Sequence, residues 1–270
     1  MTVASELDAV QRSAITLALL AGRLLRDRVG RHTTLEFKGE IDLVTEVDKA
    51  SEALIAAGIA ADWPGHAIMG EEGSTTGVAV EGAEWIWIVD PIDGTTNFAH
   101  GYPHFCVSIA IARAGVGEIG VIYEPNQDEL FVGRKGGLAQ LNGHPISVSG
   151  TTSLQRSILS TGFAYDRVNR HNQIAQWSAI HDRCQGVRRE GSAALGVAWQ
   201  AAGRTDGFYE KPINPWDIAA GAIIAEAAGA IVTRYDGQPY GVFDREIVAS
   251  NGLIHDELLA AVADSNGSET

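Results

Sequence analysis

Cysteine is nearly absent from this chain: Cys106 and Cys184 stand alone among 270 residues, with no Cys-x-x-Cys spacing. No disulfide framework is available, a reducing compartment is the simpler expectation, and both thiols are expected to be buried. Long apolar runs are missing too. The most apolar helix-like stretch, Ile218 to Val232, carries Glu226 and falls short of the roughly 20 residues a membrane span needs. No basic segment precedes an apolar one at the N-terminus, so a soluble, cytoplasmic protein is expected. The chain lacks a Ser/Pro-rich tract, a charge block or an internal repeat, so any two halves share an interface instead of a tether. Basic residues are the remaining shortage. Twenty Lys and Arg against 34 Asp and Glu give a net charge of −14, which repels nucleic acid and anionic membrane over most of the surface. Neither is an expected partner.

Leu7, Val10, Ala14, Leu17, Ala21, Leu24 and Leu25 recur at three- and four-residue steps and predict an amphipathic helix over residues 5 to 28. A loop around Gly39-Glu40 precedes a second helix from Thr45 to Ala57. Short strands at 105–112, 119–123, 129–132, 138–141 and 145–148, divided by Gly-rich, Pro-Asn and Asn-Gly turns, predict an antiparallel sheet. Beyond about residue 150 the pattern alternates. Strands at 158–160, 187–189, 207–209 and 230–233 are separated by helices at 170–183, 192–202 and 216–228, as in an α/β arrangement. The expected organisation is an α+β half over residues 1–150 and an α/β half over 151–270.

Two motifs dissolve on inspection. Gly115, Gly117 and Gly120 spell Gly-x-Gly-x-x-Gly, yet the residues that follow, Ile119 to Tyr123, read as a strand where a dinucleotide site needs a helix. His100 and His104 have the spacing of a zinc helix, but Gly101 and Pro103 between them break it.

Residues 85 to 98 carry the chemistry. Trp85 to Val89 reads as a strand covered on both faces, ending at Asp90, and Pro91 is expected to stop further ladder pairing. Asp90, the Ile92 carbonyl and Asp93 can face one small volume, a hard-oxygen set suited to Mg²⁺ or Mn²⁺. Gly94 lets the backbone approach closely, and Thr95 and Thr96 can open a helix whose N-terminus attracts anions. The same residues also suit a plain turn, with Asp93 as a helix cap. Plain readings exist elsewhere: Thr45-x-x-Asp48 matches a capping box, Asp217 follows Pro215 at a helix start, and Gly191-Ser192-Ala193-Ala194 can be an N-cap.

Asp90-Pro91-Ile92-Asp93-Gly94-Thr95-Thr96-Asn97-Phe98 resembles the central signature of the inositol monophosphatase family of Mg²⁺-dependent phosphatases. Three further segments match in order: Leu43-Val44-Thr45-Glu46-Val47-Asp48, Gly70-Glu71-Glu72-Gly73 and Trp216-Asp217-Ile218-Ala219-Ala220-Gly221. The resemblance implies a layered αβαβα sandwich with the site between the halves, and a homodimer. It implies that Glu71, Asp90 and the Ile92 carbonyl hold one ion and Asp90, Asp93 and Asp217 a second. Asp48 and Thr95 orient the attacking water, with Glu71 beside them. The Gly94 and Thr95 N–H groups meet phosphate oxygens, and Lys38 lies near the phosphate. Gly191, Ser192, Ala193 and Glu210, with Asp93 and Asp217, border the sugar.

The implied reaction is hydrolysis of a small polyol monophosphate, foremost myo-inositol 1-phosphate, with inhibition by Li⁺. Such esters demand rate factors approaching about 10²¹, which two metal ions can supply and one side chain cannot. So acidic a protein repels a phosphorylated substrate, which local cations would reverse. Relatives act on fructose 1,6-bisphosphate, histidinol phosphate, 3′-phosphoadenosine 5′-phosphate or nucleotide cofactors, and some bacterial ones bind RNA polymerase, so an interaction role is the alternative.

Overall fold

The computed structural model describes residues 3–30, 35–37, 43–164 and 167–266. Helix α1 (Val3–Arg28) buries the predicted stripe, with Leu24 only half-buried. Strands β1 (Leu35–Phe37) and β2 (Leu43–Thr45) pair antiparallel and lead into α2 (Glu46–Asp62), which runs past the expected end at Ala57. The Gly39-Glu40 loop lies outside the described residues.

A first sheet takes its seven strands in chain order: β3 (Ala67–Gly70), β4 (Trp85–Asp93), β5 (Cys106–Arg113), β6 (Val116–Glu124), β7 (Glu129–Arg134), β8 (Gln140–Leu141) and β9 (His144–Pro145). A short helix, α3 (Thr95–Ala99), follows β4. All neighbours in this sheet run antiparallel except β3 and β4. The strand expected at 145–148 shrinks to β9, because Val148 turns away and donates its N–H to the Ala228 carbonyl at 3.2 Å. The apparent dinucleotide motif is a hairpin: Ala114 (φ 48°) and Gly115 (φ 79°) make the turn and Gly120 lies inside β6.

The rest of the chain supplies β10 (Ile158–Thr161), α4 (Arg167–His181), β11 (Gly186–Arg188), α5 (Ala193–Ala201), β12 (Gly207–Glu210), α6 (Pro215–Ala227), β13 (Ile231–Thr233), β14 (Ile247–Ser250) and α7 (His255–Asn266). Their sheet has the order β11-β10-β12-β14-β13 and is mixed: β10 is parallel to both neighbours, while β14 is antiparallel to β12 and β13.

Strand periodicity assigns the layers. On the first sheet Trp85, Trp87, Val89, Ile109 and Ile111 pack with α1 and α2, whereas Ile86, Ile88, Ala110 and Ala112 pack with α5 and α6. On the second, Phe208, Ile247 and Ala249 face α5 and α6, and Tyr209 and Val248 face α7. The result is the expected αβαβα sandwich, with α5 and α6 as the shared middle layer. Gly120 lets α6 sit close: a Cβ there would lie 2.3 Å from the Ala220 carbonyl oxygen. Cys106 is buried as expected, but Cys184 is only half-buried, at the edge of the outer apolar cluster. Among the described residues no helix is long and apolar enough to cross a membrane.

Candidate active site

All nine positions of β4 are buried, and the strand ends in a bulge. Asp90 pairs with Ser108 and Asp93 with Cys106, so β4 spends one more residue than β5 over that interval. Pro91 falls inside the bulge. The expectation that it stops pairing is therefore corrected: the bulge absorbs its missing donor and the ladder resumes at Asp93. Within the bulge Asp90 Oδ1 accepts the Ile92 N–H at 2.9 Å, fixing the turn. Gly94 follows at φ 97°, where a Cβ would lie 3.0 Å from the His104 carbonyl oxygen, and α3 starts at Thr95.

Asp48 serves two structures at once. Its Oδ2 accepts the Thr45 N–H at 2.7 Å and the Thr45 hydroxyl at 2.5 Å, closing the capping box of α2, and its Oδ1 accepts the Thr95 hydroxyl at 3.0 Å. The Thr95 hydroxyl also lies 3.0 Å from the Ile92 carbonyl, so its single proton is shared between two acceptors.

Asp93 is held by the start of α5. Its Oδ2 accepts from the Ser192 hydroxyl and the Ala194 N–H, both at 2.6 Å, and its Oδ1 from the Ala193 N–H at 3.3 Å. Ser192 is also the N-cap that accepts from Leu195 N–H, so cap and carboxylate clamp are one device. Asp217 stands in the first turn of α6, its Oδ2 accepting the Asn214 N–H at 2.9 Å. Asn214 is in turn held by Arg245, whose guanidinium donates to its side-chain oxygen at 2.7 Å.

These elements converge on one cavity of about 290 Å³. Of the sequence-predicted residues, Glu71, Asp90, Ile92, Asp93, Gly94, Thr95, Gly191, Ser192, Ala193, Glu210 and Asp217 all line it. Asp48 reaches it only through Thr95. Lys38 lies outside the described residues. Arg189, Arg245, Asn214 and the segment Thr161 to Ala164 line it without having been singled out in the sequence. Asn97 adds a tie across the cleft, donating to the His104 and Glu190 carbonyls at 2.7 and 2.9 Å. Its place in the Asp-Gly-Thr-Thr-Asn-Phe stretch was the available signal. Arg189 and Arg245 had none.

Carboxylate oxygens of Asp90, Asp93 and Asp217 lie within 4.8 Å of one another. Burial pushes Asp90 well above the usual carboxylate range, and the charges of Glu71, Asp93 and Asp217 push it further. Burial likewise raises Asp217, with Asp93 and Glu71 adding to it. Asp93 rises only to about 6, since Ser192, Ala194, Ala193 and Arg189 offset part of its burial. Glu210 is buried and pushed well up, first by burial and then by Asp217 and Asp93, and its Oε2 has no hydrogen-bond partner among the described residues. Buried carboxylates this close lack only positive charge, and an all-oxygen donor set of this kind fits a hard divalent cation. The acidic group can therefore hold a metal ion. Arg189 and Arg245 add fixed positive charge to a cavity in an otherwise acidic protein.

The family model of the inositol monophosphatase family matches residues 6–268. An inositol-1-monophosphatase of Synechocystis sp. is 43% identical over 96% of this chain and 90% of its own length. Nus factor SuhB of Pseudomonas aeruginosa is 39% identical over 92% of this chain and 94% of its own. Among solved structures, an inositol monophosphatase from Anabaena (Nostoc) superposes with a TM-score of 0.86 at 42% identity, covering 96% of this chain and 97% of that one. With three of its four acidic segments meeting in one cavity and the fourth tied to it through Thr95, the chain belongs to the inositol monophosphatase family and is a phosphoric monoester hydrolase.

Proposed function

We propose that this protein hydrolyses a small polyol monophosphate, foremost myo-inositol 1-phosphate, with Mg²⁺ as the resident ion and Mn²⁺ as a substitute. The observation that carries this reading is the meeting of Asp90, Asp93 and Asp217 in the cavity that also holds Glu210 and the 191–193 segment. Glu71, Asp90 and the Ile92 carbonyl would hold one ion, and Asp90, Asp93 and Asp217 a second. Ions bound there supply Lewis acidity toward the phosphoryl oxygens and the leaving oxygen.

The chain's own groups do the rest. A water beside Thr95 gives its proton to the Thr95 oxygen as the Thr95 hydroxyl proton moves to Asp48 Oδ1, 3.0 Å away. The Gly94 and Thr95 N–H groups bind phosphate oxygens. Glu210 Oε2, buried without a partner among the described residues, takes a substrate hydroxyl, and Gly191, Ser192 and Ala193 border the same ring. Lys38 is assigned to the phosphate side. The same reading carries a homodimer in the cytoplasm, inhibition by Li⁺, and a boundary between halves near residue 150.

A phosphate-release panel with Mg²⁺ tests the substrate, comparing inositol 1-phosphate, fructose 1,6-bisphosphate, histidinol phosphate and 3′-phosphoadenosine 5′-phosphate. Inositol 1-phosphate is expected to lead in kcat/KM, and preference for another compound reassigns the substrate. The Nus factor relatives favour a second reading, as an interaction protein. A cellular phenotype that survives Asp93→Asn would support it.

A further inference from the structure

Helix α2 presents three fully buried polar side chains, Asp48, Ser51 and Glu52, at steps of three and four residues, so they share one face. Each reaches a different segment of the site. Asp48 accepts from Thr95, as described. Ser51 donates its hydroxyl to the Pro91 carbonyl at 3.1 Å, inside the bulge that carries Asp90. Glu52 extends to the turn after β3, where Oε2 accepts the Glu72 N–H at 2.8 Å and Oε1 the Ser74 N–H at 2.7 Å. That turn carries Glu71. Gly70 makes room for the contact, because a Cβ there would lie 2.5 Å from Glu52 Oε2.

A buried carboxylate spent on two main-chain N–H groups of a loop is a costly way to fold a turn. The arrangement makes sense when the turn must present a neighbouring side chain at a fixed place. We propose that Glu52 is a positioning residue for the metal site: by clamping residues 72 and 74 from the rigid α2 it sets where the Glu71 carboxylate stands relative to Asp90. This rests on the reading that Glu71 is an ion ligand. Ser51 does the same for Asp90 more weakly, with one hydrogen bond.

The test uses the full chain and Mn²⁺ as the probe, followed by titration calorimetry. Glu52→Gln keeps one acceptor and turns an amide NH₂ toward an N–H donor, so one loop N–H loses its partner. It is expected to weaken Mn²⁺ binding about tenfold or more, to speed amide hydrogen exchange over residues 71–74, and to raise the Mg²⁺ needed for half-maximal phosphate release. Excess Mg²⁺ should restore turnover with the substrate KM unchanged. Ser74→Pro removes one of the two donors from the loop side and leaves α2 intact, so it decides the matter if Glu52→Gln does not fold, and the same shift is expected. Mn²⁺ affinity within twofold of wild type in the folded variants, alongside an active wild type, overturns the inference. A wild type that neither binds Mn²⁺ nor releases phosphate overturns the underlying functional reading instead.

Discussion

The two walls of the cleft present carboxylates by different means. On the first wall the bulge at the end of β4 turns two aspartates inward, and each is restrained: Asp90 by the Ile92 N–H, Asp93 by three donors at the start of α5. On the second wall Asp217 stands half-buried on the first turn of α6, partly occupied as that helix's own cap through Asn214 N–H. A strand bulge places several groups together and lets none move alone. A helix start places one oxygen and draws on the dipole to offset its charge. The first wall therefore fixes geometry, and the second completes the charge.

If both walls supply ligands to the same ion, Asp93→Asn and Asp217→Asn should each lower Mg²⁺-dependent phosphate release by about a thousandfold or more, despite their different scaffolds. Asn at 217 retains an oxygen for the Asn214 N–H, so circular dichroism should be unchanged. Substantial turnover in either variant breaks the shared-site picture. Thr95→Val, confined to the first wall, should cost about 10²-fold in kcat while Thr95→Ser is nearly silent, since only the hydroxyl links the cleft to Asp48. Glu210→Gln, on the second wall, is a binding change: KM for a polyol phosphate should rise about tenfold, with little effect on an aryl phosphate that lacks the ring hydroxyls.

The smallest effect concerns the metal-free protein. Asp93 is raised to about 6, and Asp90 and Asp217 are pushed well up, chiefly by burial. Between the ordinary carboxylate range and those values the folded chain holds more protons than the unfolded one, so their contribution to stability falls as pH rises. The melting temperature without metal should drop by roughly 5–10 °C from pH 4 to pH 7 through these groups. Mg²⁺ should reverse the drop, and Asp90→Asn should flatten it.

Much of this was legible in the sequence for a physical reason. Trp85 to Val89 is apolar on both faces and ends in acids, so both its burial and the acidic edge it brings to the cavity are written locally, and the Thr45-x-x-Asp48 spacing names its own cap. What escaped depends on partners far along the chain. The strands β3 and β14 went unread in the sequence. The bulge at Pro91 is imposed by β5, so local propensity pointed to a stop. Glu52 reads as an ordinary helix residue until the turn at residues 72–74 folds against it, although its spacing from Asp48 on one helix face was visible. Arg189 and Arg245 enter the cavity from loops, where no periodicity marks them.

The clamp between Asp93 and α5 also bears on how the protein is made. Asp90 and Asp93 leave the ribosome on the order of a hundred residues ahead of Asp217, a lag of roughly 6–25 s at ordinary synthesis rates. Through that interval the nascent strand carries clustered negative charge with neither its donors nor its third acid in place. On the proposed reading, ion capture would be a closing event of biogenesis, and the supply of the divalent cation would act on the yield of finished molecules as well as on their turnover.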